Sequence, residues 1–348
     1  MKNQYSAIQP QSPAGDWAGR CASLLAIASC LFMSGLLKPA FAQTEVCGST
    51  CGAWAALTSA APAFTSGSGS EYLAWKGHTG NYIWFTDGTP SVWATQAKVG
   101  GSSWYAETTV APALTAFGAD YALAWKGQSG TSIWYSIRSG STWGSQSSIA
   151  GTDTNEAPAL TSNAGVIYLA WTTPADEIEY LTYSGGVWST VPTVVPGAGT
   201  TLAPAITVYN GILYFAWTTA SGDIEHISYN GSWSAVGTVM IGGTPATTDL
   251  APTLTTGMPY VGGPFLAWTA PSGEIYFANG ESSTWSGSLV NNDGILSNMT
   301  PGLALAESAG TCENFYFLYL AFTNETNDAV YTNTAASWTQ IFKPPCKQ

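Results

Sequence analysis

Charged side chains are scarce in this chain of 348 residues, and basic ones are the scarcest. Only 9% of the residues are Asp, Glu, Lys or Arg, and Arg138 is the only arginine after residue 42. Residues 43–348 carry six basic and twenty acidic side chains, which leaves a formal charge of about −14. Because so acidic a surface repels phosphate groups, we expect neither nucleic acid nor an anionic membrane surface among the partners.

Long apolar runs are also missing, apart from one near the N-terminus. The run Cys21–Leu37 precedes Ala40-Phe41-Ala42, which has the small-x-small pattern that signal peptidase reads. Residues 1–42 are therefore predicted to be a cleavable signal peptide, with a retained membrane anchor as the alternative. No later stretch is apolar enough to span a bilayer. We expect residues 43–348 to form a single domain that is secreted, periplasmic or at the cell surface, with no membrane insertion after cleavage.

Cysteines and histidines are few. Four cysteines follow residue 42, and an even number in an exported chain indicates disulfides: Cys47, Cys51, Cys312 and Cys346. All three possible pairings remain open. The two histidines, His78 and His226, lie far from the Cys47–Cys51 segment in sequence, so no metal site and no other cofactor is predicted.

One motif is written six times, at intervals of 46 to 50 residues. Each unit begins with Ala-Pro or Thr-Pro and a short apolar piece, and the units start near residues 61, 111, 157, 203, 251 and 300. A second apolar piece ends in an aromatic residue, at Trp75, Trp125, Trp171, Trp217, Trp268 and Phe322. A fourth piece begins at a tryptophan, at Trp93, Trp143, Trp188, Trp233, Trp285 and Trp338. A fixed period of this length is typical of repeat architectures.

Each unit contains four short runs rich in Val, Ile, Thr, Tyr and Trp, separated by Gly, Asn, Asp and Ser, which is the pattern of four strands. No segment shows helical periodicity over ten residues. A four-stranded meander cannot bury both faces alone, so it must stack on its neighbours. We therefore predict an all-β fold, a six-bladed β-propeller of four-stranded antiparallel blades. The alternative, a β-solenoid, usually has shorter coils without four turns per repeat. The two aromatic columns are expected to be core.

The segment from about Cys47 to Ala60 resembles the end of a unit, with Trp54 in the place of Trp143. We expect this segment either to complete the blade begun by the last unit or to lie along its edge.

The repeat A-P-A-L-T, Y-L-A-W, I-x-Y and G-x-W-S resembles the repeats of bacterial and fungal β-propeller lectins, including fucose-binding and Photorhabdus-type propeller lectins. The resemblance covers all of residues 43–348. It implies sugar pockets between blades, lined by aromatic residues and a few charged groups. No individual residue is carried over, because the arginine-bearing pattern of the fucose pocket is absent. A single arginine also disfavours a sialidase, which needs several to hold a carboxylate.

The columns in which the units differ are the candidate binding positions. The residue after the third-strand isoleucine or valine changes in pairs, since it is Trp84, Trp134, Glu179, Glu225, Tyr276 and Tyr331. A packing position would not be expected to alternate between Trp and Glu. The turn after the second strand and the link between units should open on one rim, where Lys76 and Lys126 lie, and rim loops commonly bind ligands. We predict ligand contacts for Trp84, Trp134, Glu179, Glu225, Lys76 and Lys126.

These patterns favour a ligand-binding propeller whose partner is a glycan and which does not transform it. Two alternatives remain open. One is a protein–protein adhesion or scaffold module that binds an extracellular protein. The other is a glycoside hydrolase that uses paired carboxylates such as Glu177 and Glu179, which alternation along a strand places on one face.

Overall fold

The protein is represented by a computed structural model, and its described part follows the six sequence repeats. The structure describes residues 44–47, 54–67, 69–89, 92–257, 262–281, 284–290, 296–309 and 313–341, without the side chains of 44, 281, 284, 307–309, 313–316 and 334–341. Residues 1–42 and Cys51, Cys312 and Cys346 lie outside the described residues. The signal peptide and the disulfides therefore stay predictions. No helix in the described ranges is long and apolar enough to cross a membrane.

The strands are assigned to blades in chain order. Strand β1 is Thr44–Glu45. Blade 1 contains β2 (Ala63–Gly67), β3 (Ser70–Lys76), β4 (Ile83–Thr89), β5 (Val92–Trp93) and β6 (Ala97–Lys98). Blade 2 contains β7 (Ala113–Phe117), β8 (Asp120–Lys126), β9 (Ile133–Ser139), β10 (Thr142–Trp143) and β11 (Ser147–Ser148). Blade 3 contains β12 (Ala159–Asn163), β13 (Val166–Thr172), β14 (Glu177–Ser184), β15 (Val187–Trp188) and β16 (Thr193–Gly199). Blade 4 contains β17 (Ala205–Tyr209), β18 (Ile212–Thr218), β19 (Ile224–Tyr229) and β20 (Gly237–Thr238). A hairpin of β21 (Met240–Ile241) and β22 (Thr244–Pro245) follows. Blade 5 contains β23 (Thr253–Thr255), β24 (Phe265–Thr269), β25 (Ile275–Glu281) and β26 (Thr284–Leu289). Blade 6 contains β27 (Gly302–Ala309), β28 (Glu313–Thr323) and β29 (Val330–Ile341).

The blades are antiparallel sheets in which consecutive strands are neighbours. The fourth strand of blades 1 to 3 is split in two, and both pieces pair with the third strand. The innermost strands contact one another in a closed cycle that runs through β2, β7, β12, β17, β23 and β27 and returns to β2. The predicted six-bladed β-propeller is thus confirmed, with mostly four-stranded blades.

The second strands are buried on both faces because each blade lies between two others. On β8, Leu123 and Trp125 pack against blade 1, whereas Ala124 packs against blade 3. Alternation along the strand places these neighbours on opposite faces. The tryptophans at the last position but one of the second strands are at most 3% exposed, which confirms this column as core. Full burial of one large apolar side chain contributes about 1.5–3 kcal/mol.

Ring closure joins the N-terminal segment to blade 6. Strand β1 pairs with β29, with Thr44 opposite Thr332. The Val46 N–H donates to the Val330 carbonyl at 2.8 Å, and the Val330 N–H donates to Ala56 at 2.8 Å. The added strand of this blade is β1, which lies before the segment 47–60 that the sequence predicts either to complete the blade or to lie along its edge.

The expected match of Trp54 with Trp143 is wrong. The Ala56 N–H donates a hydrogen bond to the Val46 carbonyl, just as the Ala106 N–H donates to the Val99 carbonyl. Since Trp54 and Trp104 each lie two residues before these donors, Trp54 corresponds to Trp104.

A threonine or serine three residues before each Ala-Pro or Thr-Pro pair was missed by the sequence analysis. The column consists of Thr58, Thr108, Thr154, Thr200, Thr248 and Ser297, all at most 4% exposed. In each case the hydroxyl accepts a hydrogen bond from the backbone N–H two residues later, for example Leu250 N to Thr248 Oγ1 at 3.0 Å. This local turn chemistry fixes the link between blades.

Candidate functional site

The turns after the second strands and the links between blades meet at one rim of the ring, as the sequence predicts. Thr58 in the link forms a bridge with Gly77 in the blade 1 turn, and the His78 N–H donates to the Leu57 carbonyl at 3.0 Å. His78 also reaches across to blade 6, where its Nδ1 lies 3.3 Å from an Asp328 carboxylate oxygen. Residues at the start of each third strand therefore lie beside a link, close to this rim.

Trp84 and Trp134 lie directly across the sheet from buried tryptophans, Trp75 and Trp125 respectively. A third indole from the preceding link completes each group. We call these the first tryptophan cluster (Trp54, Trp75, Trp84) and the second tryptophan cluster (Trp104, Trp125, Trp134). The first faces blade 6 and the second faces blade 1, so each occupies a cleft between blades. In each cluster one indole is buried and the other two are partly exposed.

The second cluster has the geometry of an aromatic platform. The rings of Trp104 and Trp125 are stacked, with centroids 6.4 Å apart and planes within 5°. The Trp134 indole lies against Gly127, where an added Cβ would be 2.9 Å from its Nε1. A Cβ added at Gly77 would likewise be 2.9 Å from Trp84 Nε1. Each Trp-Lys-Gly sequence thus includes the glycine that lets an indole lie against the turn.

Further aromatic rings extend the first cluster towards the rim. Lys98 Nζ lies 3.5 Å from the Tyr82 ring centroid, 5.3 Å from that of Tyr105 and 5.6 Å from that of Trp84. The Tyr82 and Tyr105 rings meet edge to face at 5.8 Å, and Tyr105 is 52% exposed. Within the described residues no carboxylate forms an ion pair with Lys98. The result is a partly exposed surface of three rings around one cation.

Blades 3 and 4 carry carboxylates where blades 1 and 2 carry indoles. Glu179 lies across the sheet from Trp171, and Glu225 lies across from Trp217. Both glutamates are partly exposed above buried tryptophans. Burial raises the pKa of Glu179, and the neighbouring charge of Glu177 raises it further. The two clefts therefore present hydrogen-bond acceptors above an apolar floor.

Lys76 and Lys126 are buried, and their ammonium groups bond to the protein itself. Lys76 Nζ donates to Ser59 Oγ at 2.7 Å and to the Gly80 carbonyl at 3.0 Å. Lys126 Nζ donates to the Gly127 carbonyl at 3.3 Å and to Thr109 Oγ1 at 3.4 Å. Both lysines tie a turn to a link, and burial lowers the pKa of Lys76. Their predicted ligand contacts stay predictions.

The six predicted site residues are thus not brought into one pocket. Trp84, Trp134, Glu179 and Glu225 occupy four successive clefts between blades, each across from the core aromatic of its own blade. No group of three or more His, Cys, Asp or Glu side chains in the described ranges is placed to hold a metal ion.

Comparisons with known proteins agree on the fold. No protein-family model and no curated protein matches the chain. The SapL1 lectin, solved with α-methyl fucoside, has a TM-score of 0.58 at 14% identity, over 82% of this chain and 97% of its own. The fucose-recognising lectin of Aleuria aurantia, a six-bladed propeller, has a TM-score of 0.51 at 15% identity, over 79% of this chain and 94% of its own. A sialidase from Trypanosoma rangeli has a TM-score of 0.58 at 9% identity, over 85% of this chain and 60% of its own. The chain resembles propeller lectins at the level of the fold.

Proposed function

We propose that this chain is an exported carbohydrate-binding protein, and that the two tryptophan clusters are its main sugar sites. The observation that carries the proposal is the pair of partly exposed indoles in each cluster, held over a buried third indole between blades. The flat face of an indole covers the apolar face of a sugar ring at low entropic cost. Core packing alone requires the buried tryptophan of each cluster but not Trp84 and Trp134, because blades 3 and 4 carry glutamate at that position.

Glu179 and Glu225 have a different role in this proposal. A carboxylate accepts hydrogen bonds from sugar hydroxyls, and a partly buried acceptor discriminates between hydroxyl patterns more strongly than an exposed one. The clefts of blades 1 and 2 therefore bind a sugar by stacking, whereas those of blades 3 and 4 add directional acceptors. The structural neighbours support carbohydrate binding, since SapL1 was solved with α-methyl fucoside and the Aleuria aurantia lectin recognises fucose. The sugar preference of this chain should differ from a guanidinium-based one, because Arg138 lies at the end of β9 away from the rim, 4.6 Å from the Phe85 ring centroid.

A glycan array tests the proposal, followed by titration of the best ligand into exchange variants. Trp84→Glu and Trp134→Glu install the residue that blades 3 and 4 carry at the same position, so the fold accommodates it. Loss of one aromatic stacking platform should weaken binding by roughly tenfold or more. Val92→Ser, at a 70% exposed position on β5, is the matched surface control and should bind like the unmodified protein. Absence of any glycan binding, or unchanged binding by the Trp84→Glu/Trp134→Glu protein, would refute the proposal.

A glycoside hydrolase is the second candidate, favoured by the interaction between Glu177 and Glu179. A carboxyl with a raised pKa beside a second carboxylate is the arrangement of a general acid and its partner. Release of sugar from chromogenic glycosides, abolished by Glu179→Gln and kept by Glu225→Gln, would establish it. The non-catalytic proposal predicts no release above background from the purified protein.

A protein–protein adhesion module is the third candidate, favoured by exposed apolar side chains on the outside of blade 3. Val187 is 69% exposed, Val191 is 76% exposed and Val194 is 47% exposed. Exposed apolar side chains of this kind are a feature of surfaces that contact other proteins. A partner captured by the unmodified protein and lost with Val187→Ser/Val191→Ser, without any glycan bound on the array, would favour this function.

A further inference from the structure

A channel lies on the axis of the ring, enclosed by the six innermost strands. Its wider part has a volume of about 410 Å³ and is lined by the Ala-Pro or Thr-Pro pairs that begin those strands. A narrower part of about 160 Å³ is lined largely by Thr and Ser side chains. Five apolar residues line both parts and form a partition between them: Phe64, Leu114, Leu160, Leu254 and Leu303. The wider part is therefore an apolar-floored chamber of a size typical for small-molecule sites.

Among the described residues, Glu156 is the only ionisable one that lines this chamber. At the corresponding position the other links that line it carry Ala60, Val110, Leu202 and Leu250. Within the described residues the carboxylate of Glu156 accepts no hydrogen bond, since only its backbone groups bond, with Thr154 Oγ1. Burial raises the pKa of Glu156, and the charge of Lys126 partly offsets that effect. A carboxylate of this kind has hydrogen-bonding capacity that only a ligand or solvent can use.

Lys126 does not neutralise Glu156 by direct contact. Its ammonium group donates to Thr109 Oγ1 and to the Gly127 carbonyl, and no ion pair joins it to Glu156 in the described part of the chain. The rim around the chamber adds negative charge, because the turns after the second strands carry Asp176, Glu177, Asp223, Glu274 and Asp328. Hydrogen bonds from the link residues Thr200 and Thr248 to these turns place the acids beside the links. Such a field concentrates cations at the entrance.

We propose that the wider chamber of the axial channel binds a small organic monocation, a primary amine with an apolar body. The ammonium group is held by the Glu156 carboxylate, and the apolar body lies among the alanine, proline and leucine side chains. A primary ammonium supplies the N–H donors that the carboxylate lacks. A quaternary ammonium fits less well, because Phe64 is the only aromatic residue among the described lining residues and they form no aromatic cage. This site is separate from the clefts between blades and does not depend on sugar binding.

Calorimetric titration with cyclohexylamine, and with cyclohexanol as the neutral probe, tests the proposal. The unmodified protein should bind the amine. Cyclohexanol should bind at least about tenfold more weakly, because a charge-assisted hydrogen bond is stronger than a neutral one. Glu156→Gln should bind the amine about tenfold or more weakly than the unmodified protein. Glu156→Leu, which installs the leucine that two other links carry at this position, should show the same loss. Glu274→Gln removes a rim acid outside the chamber lining and is the matched control, expected to bind within about twofold of the unmodified protein.

Binding of the amine should also weaken as the pH falls and Glu156 becomes protonated. No binding of cyclohexylamine, equal binding by Glu156→Gln, or equal binding of cyclohexanol would each overturn the proposal. Thermal unfolding of every variant establishes that the fold is intact. Glycan titrations of the Glu156 variants should be unchanged, so that failure here is distinguishable from failure of the carbohydrate-binding proposal.

Discussion

Replacing Glu71 with glutamine should stabilise the protein at neutral pH and remove part of the pH dependence of its stability. Glu71 lies on β3, on the face that packs against blade 6, and its side chain is 6% exposed. Its Oε2 atom has no hydrogen-bond partner within the described residues. Burial raises the pKa of Glu71 to about 7, although a hydrogen bond from its own backbone opposes this. In blade 6, the pKa of Tyr319 is raised to about 12, mainly by burial and in part by the charge of Glu71.

The expected effect follows from the difference between the folded and unfolded chains. The ordinary pKa of the Glu71 carboxyl is 4.5, so the unfolded chain loses this proton first as the pH rises. The contribution of Glu71 to stability is therefore fully present below pH 4.5 and is lost as the pH rises through about 7. Each pH unit between the two pKa values corresponds to about 1.4 kcal/mol, which gives a loss of about 3 kcal/mol. Above pH 7 this contribution no longer changes.

Urea unfolding of the unmodified protein and of Glu71→Gln, each at pH 4.5 and pH 8, measures this quantity as a difference between the two proteins. Burial also raises the pKa of Glu156 and Glu179 and lowers that of His226, but those groups contribute equally to both proteins. Between the two pH values, the free energy of unfolding of Glu71→Gln should fall by about 3 kcal/mol less than that of the unmodified protein. If both proteins lost the same free energy of unfolding between the two pH values, the claim that ionised Glu71 destabilises the contact between blades 1 and 6 would be refuted.

Three further predictions concern the core, the links between blades and the processing of the chain. Trp125→Ala removes a side chain that is 1% exposed between blades 1 and 2 and should cost about 3–5 kcal/mol in urea unfolding, whereas Val92→Ala at an exposed site should change stability by less than about 0.5 kcal/mol. Thr248→Val removes hydrogen bonds to Thr269 O at 2.6 Å and from Leu250 N at 3.0 Å and should cost about 1–3 kcal/mol in the same assay, and an unchanged midpoint would contradict the structural role of the link hydroxyls. Mass spectrometry of the exported chain should find residue 43 at the N-terminus and all four remaining cysteines resistant to alkylation until reduced, whereas free thiols in the native protein would contradict the disulfide prediction.

The fold could be predicted because each repeat contains residues that mark the positions of its strands. The Ala-Pro or Thr-Pro pairs mark where the innermost strands begin, and the aromatic residue near the end of each second strand marks a position buried between two blades. Ring closure was predictable only in outline. Strand β1 is two residues long, Thr44–Glu45, and neither residue has strand patterning of its own. Its place is fixed by the backbone of β29, which lies at the other end of the sequence.

The parts of the candidate site at positions where the repeats differ could be predicted from the sequence. The parts that depend on packing between blades could not. The change from Trp84 to Glu179 is visible in an alignment of the units. That Trp104 stacks on Trp125 depends on a loop of blade 1 reaching blade 2, which no local pattern specifies. The lysines are the opposite case, since a lysine before a glycine-rich turn is usually solvated, whereas Lys76 is buried by a contact with Ser59 from the preceding link.

The link hydroxyls and the charge of Glu156 also escaped the sequence analysis. The Thr-x-x-Ala-Pro spacing was present in the sequence, but Thr is common in this chain and its burial shows only in three dimensions. Glu156 differs from the apolar residues at the same position in other links, yet its importance depends on the channel that the closed ring creates.

A crystal structure with the glycan selected by the array tests the central claim most directly. The carbohydrate-binding account predicts a sugar ring stacked on the exposed indoles of the first or second tryptophan cluster, in a cleft between blades. Sugar density elsewhere, with both tryptophan clusters empty at saturating ligand, would contradict it.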